Sequence, residues 1–317
     1  MQTTEWAYLR GEFVPLPEAT ISIKTHGFLY GTSVFEGIRG YWSDDKETTY
    51  LFRAREHFER MLRNAKLLML DSPLDLEGMV ATTTELIQRN NYRKDAYIQP
   101  RLYKSGQFIP PYIDGVETDY CCYTQAFGKY LDASKGIKVC VSSWRRLSDN
   151  SLTPRGKIGG AYVNSCLSSS EAHLNGFDDA IVLGEDGYIA EGSAMNLFMV
   201  KHNTLITPTT TDGILEGITR GTFIELAQQE LGIEVCARRI QRSELYDCDE
   251  LFFTGTAAQM VPIASVDHRT VGNGAGDVGP ISQKLKDLYE RIVKGNHPAY
   301  EHWLTPVPAL AGAGTSS

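Results

Sequence analysis

Between Asp179 and Pro208 the chain reads DAIVLGEDGYIAEGSAMNLFMVKHNTLITP. Short apolar runs alternate there with the turn clusters EDG and KHN, a pattern that predicts a series of strands joined by tight turns. Strands need a sheet, and a sheet needs a layer to cover its apolar face. The flanking sequence supplies both. IKVCVSSW and ELFFTGTAAQMVPIASVD read as further strands. AYVNSCLSSSEAHLNG, ITRGTFIELAQQELG and PISQKLKDLYERIV carry apolar residues at helical spacing, the last with Pro280 in its first turn. The N-terminal third mixes strands (EWAYLRGEFVP with a turn at Arg10-Gly11, ATISIKTHG, DAYIQPRLYKSG, DYCCYTQAFG) with two helices, FRAREHFERMLRNAKLLML and LEGMVATTTELIQRNN. Helices and strands do not alternate regularly, so the expected class is α+β.

A chain of 317 residues is long enough for two domains. The expected division is residues 1–127 as a smaller N-terminal α/β domain, 128–136 as a connection, and 137–304 as a larger C-terminal domain. Residues 305–317, rich in Pro, Gly and Ala, are expected to form a disordered tail. A net charge of -8 argues against phosphate-backbone binding, so no nucleic-acid partner is expected. No apolar run approaches about 18 residues, so no membrane span is expected. The N-terminus lacks the pattern of a secretory signal, and the six cysteines form no C-x-x-C pair. A cytoplasmic protein with reduced thiols and no bound metal is the expectation.

The motif GAGDVG at Gly274 to Gly279 matches G-x-G-x-x-G, but it follows VDHRTVGN, which resembles a hairpin. A plain turn is the better reading. Two other small-residue turns stand out. LEGITRG opens a helix, whose free N–H groups and dipole attract anions. FTGTAAQ places further N–H groups after a strand. Lys157, in TPRGKIGG, stands among glycines; alone it reads as an ordinary loop lysine, and only together with the motifs that follow do the glycines read as clearance for a flat ligand and a moving amine. Glu191 lies in EGSAMNLF, a stretch that on its own reads as a solvated turn.

From Glu191 the chain continues as E-G-S-A-M-N-L-F, Leu205-Ile206-Thr207, then L-E-G-I-T-R from Leu215. This spacing resembles the signature of the class IV aminotransferases, the fold-type IV enzymes that use pyridoxal 5′-phosphate. HGFLYGTSVFEGIRGY, FRAREHFERM and SSWRRLSDNSLTPRGKIGGAYVNSCL look like the N-terminal active-site segment, the phosphate-arginine helix and the lysine segment of the branched-chain amino acid aminotransferases.

The resemblance implies a two-domain fold of the D-amino acid aminotransferase type. It implies Lys157 as the amine that carries the cofactor and moves protons, and Glu191 as the acid partner of the pyridine nitrogen. It implies Arg60, the backbone from Gly217 through Ile218 and Thr219, and Thr256 as the phosphate seat, with Tyr162 meeting the ring oxygen. The implied substrate residues are Tyr30, Phe35, Gly37, Arg39, Tyr97, Phe127 and Tyr130 around the side chain, with Thr256 and Ala257 at the α-carboxylate. The implied reaction moves the amino group of leucine, isoleucine or valine to 2-oxoglutarate, giving 2-oxo acids and glutamate in a homodimer or larger assembly. D-amino acid transamination, aminodeoxychorismate cleavage and a non-catalytic cofactor-binding role are the alternatives.

One departure bears on specificity. Branched-chain enzymes usually read Tyr-x-Arg-Pro where this chain reads Tyr97-Ile98-Gln99-Pro100-Arg101. A neutral amide holds a carboxylate less strongly than a guanidinium. On a regular strand residues 97, 99 and 101 share a face, so Arg101 is a partial substitute if Pro100 leaves the strand intact. Acceptance of (R)-primary amines, which lack a carboxylate, is the corresponding expectation. The segment Lys104–Gly115 also departs from the short Gly-rich loop of the family.

Overall fold

A computed structural model of the chain describes residues 5–128, 136–272 and 278–309. It divides into two compact units. One contains Met1–Gly128, Lys157–Gly160 and Arg291–Ser317; the other contains Lys129–Gly156 and Ala161–Glu290. The lysine segment and the C-terminal stretch therefore belong with the N-terminal unit, whereas the sequence placed 137–304 together.

The first unit is built on a sheet. In spatial order its strands are Leu304–Pro308, Thr48–Phe52, Ile38–Ser43, Ala96–Lys104, Thr118–Ala126, Trp6–Leu9 and Glu12–Pro15, with Ser33–Phe35 also paired to Ala96–Lys104. The turn at Arg10-Gly11 has positive φ at both residues, as a two-residue hairpin requires. Helices Ala54–Ala65 and Leu76–Asn90 cover the sheet. The first buries Phe58, Met61 and Ala65, together with His57 and Arg60. The second is capped by Asp75, whose Oδ1 accepts from the Gly78 N–H at 2.8 Å, and it ends at Asn91 in the left-handed region.

Two expectations fail in this unit. ATISIKTHG is not a strand: Ala19–Thr25 has no ladder partner, and Ile23 is 78% exposed. Its alternating pattern meets no sheet edge, and Thr25 instead precedes a short helix, His26–Tyr30. The start of the expected disordered tail is ordered, because Leu304–Pro308 pairs with Thr48–Phe52 at the sheet edge. An edge strand tolerates Pro306 and Pro308, which lack a donor for an outer neighbour. Val307 is buried, and Arg53 N–H donates to the Trp303 carbonyl at 2.7 Å. Residues 310–317 and most of the connection 128–136 lie outside the described residues, as does most of GAGDVG.

The second unit is a nine-stranded sheet in the order Ile189–Gly192, Asp179–Leu183, Ile137–Arg145, Gln259–Val266, Glu250–Gly255, Asn196–Lys201, Thr204–Thr207 and Val235–Ala237, with Arg269–Thr270 paired to Gln259–Val266. The hairpin expected at VDHRTVGN is present, turning at Asp267-His268 with positive φ at both. Three strand pairs of the unit are parallel: Ile137–Arg145 runs parallel to Gln259–Val266, and two further pairs are each joined through a helix. Ile137–Arg145 and Asp179–Leu183 are joined through helix Tyr162–Leu174, and Thr204–Thr207 and Val235–Ala237 through helix Ile218–Gln229. Each helix starts beyond the C-terminal end of a parallel strand, where α/β units place their ligand groups. Leu197, Met199, Phe253 and Val261 lie in the core. Glu250 reaches from its strand to cap helix Pro280–Val293. Its carboxylate accepts from the N–H groups of Ile281 (2.9 Å) and Ser282 (2.7 Å) and from the Ser282 hydroxyl (2.6 Å).

Candidate active site

The first group of site residues lies in the first unit, around strand Ser33–Phe35. Lys157–Gly160 runs antiparallel beside that strand. The Phe35 N–H donates to the Lys157 carbonyl at 3.0 Å, Gly159 N–H to Ser33 at 2.8 Å and Gly160 N–H to Gly31 at 3.0 Å. Three backbone bonds fix the lysine's Cα while its side chain extends to lie with Nζ 4.7 Å from the Phe35 ring centroid. At Gly159 and Gly31 the close neighbours are the chain itself. A Cβ on Gly159 would sit 2.4 Å from Ser33 Oγ and 2.9 Å from Arg101 Nη1, and one on Gly31 would sit 2.6 Å from Gly160 Cα.

Glu36, the next residue along, is fully buried and takes two parallel hydrogen bonds from Arg60, Nε to Oε1 and Nη2 to Oε2, both 2.7 Å. His57 Nδ1 donates to Oε2 at 2.8 Å. Burial, the largest influence, pushes the Glu36 carboxyl up. The charge of Arg60 and the hydrogen bonds from His57 and Arg60 outweigh it and hold the carboxyl at about 2. Burial lowers the His57 pKa, against the pull of Glu36, and the charges of Arg60 and Lys157 lower it further. Arg60 is thereby held in one orientation, and its charge lies close enough to Lys157 for both to act on one imidazole.

The strand Ala96–Lys104 is regular. It pairs residue for residue with Thr118–Ala126, and burial alternates along it from Ala96 to Arg101. Pro100 does not break it. Its carbonyl accepts from Glu36 N–H at the point where the neighbouring chain passes from strand Ser33–Phe35 to strand Ile38–Ser43, so no ladder donor is required of it there. Tyr97, Gln99 and Arg101 consequently share a half-buried face. Gly37 leaves room for Tyr97, since a Cβ there would lie 2.1 Å from the phenol oxygen. The Tyr97 and Phe127 rings are 5.3 Å apart. Arg39 is 3% exposed and donates to the carbonyls of Phe127 (3.2 Å) and Gly128 (2.6 Å). Those two bonds tie it to the end of the Phe127 segment. Tyr30 is 41% exposed and donates its hydroxyl to Ile109, in the unusual Lys104–Gly115 segment. His26 orders that segment: its ring stacks on Phe108, and its nitrogens reach Thr32 Oγ1 (2.8 Å) and the Pro110 carbonyl (3.3 Å). Tyr130 lies outside the described residues.

The second group lies at one end of the second unit's sheet. Glu191 is not a solvated turn residue; it closes a strand and is 2% exposed. Arg146 Nη2 lies 2.6 Å from Oε1, while Asn196 Nδ2 (2.9 Å) and Leu215 N–H (3.2 Å) donate to Oε2. A carboxylate surrounded by these donors suits a partner that is itself a cation or a strong donor. Gly217 precedes helix Ile218–Gln229 and has room only for hydrogen, because a Cβ would lie 2.0 Å from Asn196 Oδ1. Ile218 and Thr219 form the first turn of that helix, whose leading N–H groups have no acceptor within the helix itself. Tyr162 opens its own helix, pinned by the bond from Asn164 Nδ2 to the Arg145 carbonyl at 3.0 Å. Thr256 and Ala257 form the half-buried turn between strands Glu250–Gly255 and Gln259–Val266.

Residues 33–266 match the model of the amino-transferase class IV family. The chain is 45% identical over 303 residues to a probable branched-chain-amino-acid aminotransferase of Aquifex aeolicus, covering 96% of this chain and 97% of that one. It is 36% identical over 308 residues to the branched-chain-amino-acid aminotransferase of Escherichia coli strain K12, covering 96% and 97%. Its structure superposes on the branched-chain aminotransferase of Thermoproteus uzoniensis crystallised with norvaline, at a TM-score of 0.91 and 40% identity, covering 96% and 99%. The chain is a class IV aminotransferase. Its architecture is that of fold-type IV, as its motifs imply.

Sequence reading of this aminotransferase missed four groups: Glu36, His57, Arg146 and Asn196. All four lay inside the quoted motifs, but nothing local marked them as partners of Arg60 and Glu191. Among the described residues no cluster of His, Cys, Asp or Glu could hold a metal ion, and no helix is long and apolar enough to cross a membrane.

Proposed function

We propose that this aminotransferase transfers the amino group of leucine, isoleucine and valine to 2-oxoglutarate, with pyridoxal 5′-phosphate bound to Lys157. The observation that carries the reading is the full-length likeness to branched-chain-amino-acid aminotransferases, combined with a built setting for both Lys157 and Glu191. One structure of the same kind, the branched-chain amino acid aminotransferase of Thermobaculum terrenum, is a holo form with this cofactor; it is 37% identical to this chain, with a TM-score of 0.91. The residues present fit that cofactor. The helix start at Ile218 and Thr219 suits phosphate oxygens, and Glu191 suits a protonated ring nitrogen.

The cofactor, when bound, supplies an electron sink for the α-carbon. The chain's own residues do the rest. Glu191, paired with Arg146 and aligned by Asn196, would hold the ring proton. Arg60, Gly217, Ile218, Thr219 and Thr256 hold the phosphate, and Tyr162 meets the ring oxygen. With the cofactor bound, Lys157 Nζ would take the α-proton of the substrate and return it to the carbon two bonds away, which requires a neutral amine on a fixed Cα. Phe35, Gly37, Tyr97 and Phe127 receive the branched side chain, with Tyr30 at its margin. Thr256 and Ala257 meet the α-carboxylate. Homodimer formation and a cytoplasmic location belong to the same proposal.

Gln99 supports a second, broader specificity that includes (R)-primary amines. A donor screen tests both readings: glutamate formation from 2-oxoglutarate with L-leucine, L-isoleucine, L-valine, D-alanine or (R)-1-phenylethylamine. Turnover of D-alanine alone overturns the first. If Gln99→Arg leaves the ratio of amine to L-leucine turnover unchanged, the second loses its basis.

A further inference from the structure

We propose that Arg220 is a positioning residue for the cofactor's phosphate: it clamps the first turn of helix Ile218–Gln229 and places a buried positive charge in that turn. The proposal rests on the cofactor reading above. Arg220 is the third residue of the helix and is 8% exposed. An arginine is seldom buried so far unless something offsets its charge.

The hydrogen bonds of its fork end on neutral oxygens. Nε donates to Thr207 Oγ1 at 3.1 Å, and Nη2 donates to the Pro208 carbonyl at 2.9 Å. Burial, the largest influence, lowers the Arg220 pKa against the pull of the Glu216 and Glu191 charges. Both of those carboxylates have cations of their own. Arg146 lies 2.6 Å from Glu191, and Arg155 lies 3.3 Å from Glu216, whose side chain is 56% exposed and screened by water. A desolvated cation thus stands in the first turn of a helix whose dipole also favours negative charge. An anion seated there offsets both.

The clamp also fixes where that anion sits. Thr207 is fully buried, and its hydroxyl donates to the Leu197 carbonyl at 2.9 Å while accepting from Arg220. Asn196, the residue before Leu197, donates to Glu191 and to the Leu215 carbonyl, each at 2.9 Å. The approach to the helix is therefore tied to strand Asn196–Lys201 at two points, by Asn196 before Gly217 and by Arg220 after it. Gly217 fills the gap between them: a Cβ there would lie 2.0 Å from Asn196 Oδ1 and 3.3 Å from Arg220 Cβ. A first turn held this way keeps its leading N–H groups on one spot, as a phosphate requires. A planar fork that reaches two acceptors does this better than the point charge of a lysine.

Pyridoxal 5′-phosphate and pyridoxal, which lacks the phosphate, separate the phosphate's share from the ring's. The full-length chain is freed of cofactor, and absorbance titration reads the dissociation constant of each compound. Arg220→Met is expected to weaken pyridoxal 5′-phosphate about ten-fold or more and pyridoxal less than about two-fold. Arg220→Lys, which keeps the charge without the fork, is expected to recover part of the loss. Equal weakening of both compounds overturns the proposal, because a merely structural residue would act on both; so does no weakening of either. Should Arg220→Met not fold, the Lys variant decides by the same ratio. Failure of the wild type to bind pyridoxal 5′-phosphate would sink the cofactor reading instead, and it is measured separately.

Discussion

Replacing Glu36 by glutamine isolates the buried contact that joins the end of strand Ser33–Phe35, beside which the lysine segment runs, to the Arg60 helix. The wild-type carboxyl is lowered from 4.5 to about 2, which corresponds to about 3 kcal/mol of folding stability at neutral pH. The sign follows from the depressed folded value. The contribution is complete above about pH 4.5 and is lost as pH falls toward 2. Glutamine keeps the volume but removes the charge, and it turns an amide donor toward the Arg60 donors or the His57 N–H. A broken buried pair costs roughly 3–5 kcal/mol, because the remaining charge is left uncompensated. At roughly 2 °C per kcal/mol for a chain of this length, the thermal midpoint falls by about 6–10 °C at pH 7. Circular dichroism melts of wild type, Glu36→Gln, Arg60→Met and the double variant measure it. The double variant is expected to lose much less than the two single losses combined. The gap between wild type and Glu36→Gln is expected to hold steady from pH 7 to 5 and to narrow below that. Additive losses, or a fall under about 1 °C, would refute the coupling.

Three further substitutions follow from the packing. Gly37→Ala drives a methyl into the Tyr97 phenol, so KM for L-leucine is expected to rise about ten-fold or more in steady-state assays. Gly217→Ala displaces Asn196 from beneath the helix start and is expected to weaken cofactor binding about ten-fold, read by equilibrium dialysis. Glu250→Gln loosens the cap of helix Pro280–Val293 and is expected to cost about 1–2 kcal/mol, read as a lower thermal midpoint and faster amide exchange at Ile281 and Ser282.

Regular elements with their own periodicity and turn chemistry were legible in the sequence. The strands after Asp179, the helices from Leu76 and Ile218 and the Asp267-His268 hairpin all stand as read. ATISIKTHG was misread because alternation signals a strand only where an edge is available to pair with it. The last strand was misread because prolines count against a strand only when both sides must donate. Lys157 and Glu191 were visible as motif residues. Their supports were not, because Glu36 meets Arg60, and Arg146 meets Glu191, only once separate elements are packed. Gly159 and Gly160 show the same limit: small residues announce close approach, but not whether the approaching group is a ligand or the chain itself.

The central claim is that Lys157 carries the cofactor of an aminotransferase. Reduction of the loaded enzyme with borohydride, followed by peptide mass analysis, tests it directly. The account predicts a phosphopyridoxyl group on the peptide containing Lys157, absent when L-leucine is added before the reductant. A label on a different lysine, or no label on a protein loaded with the cofactor, would contradict it.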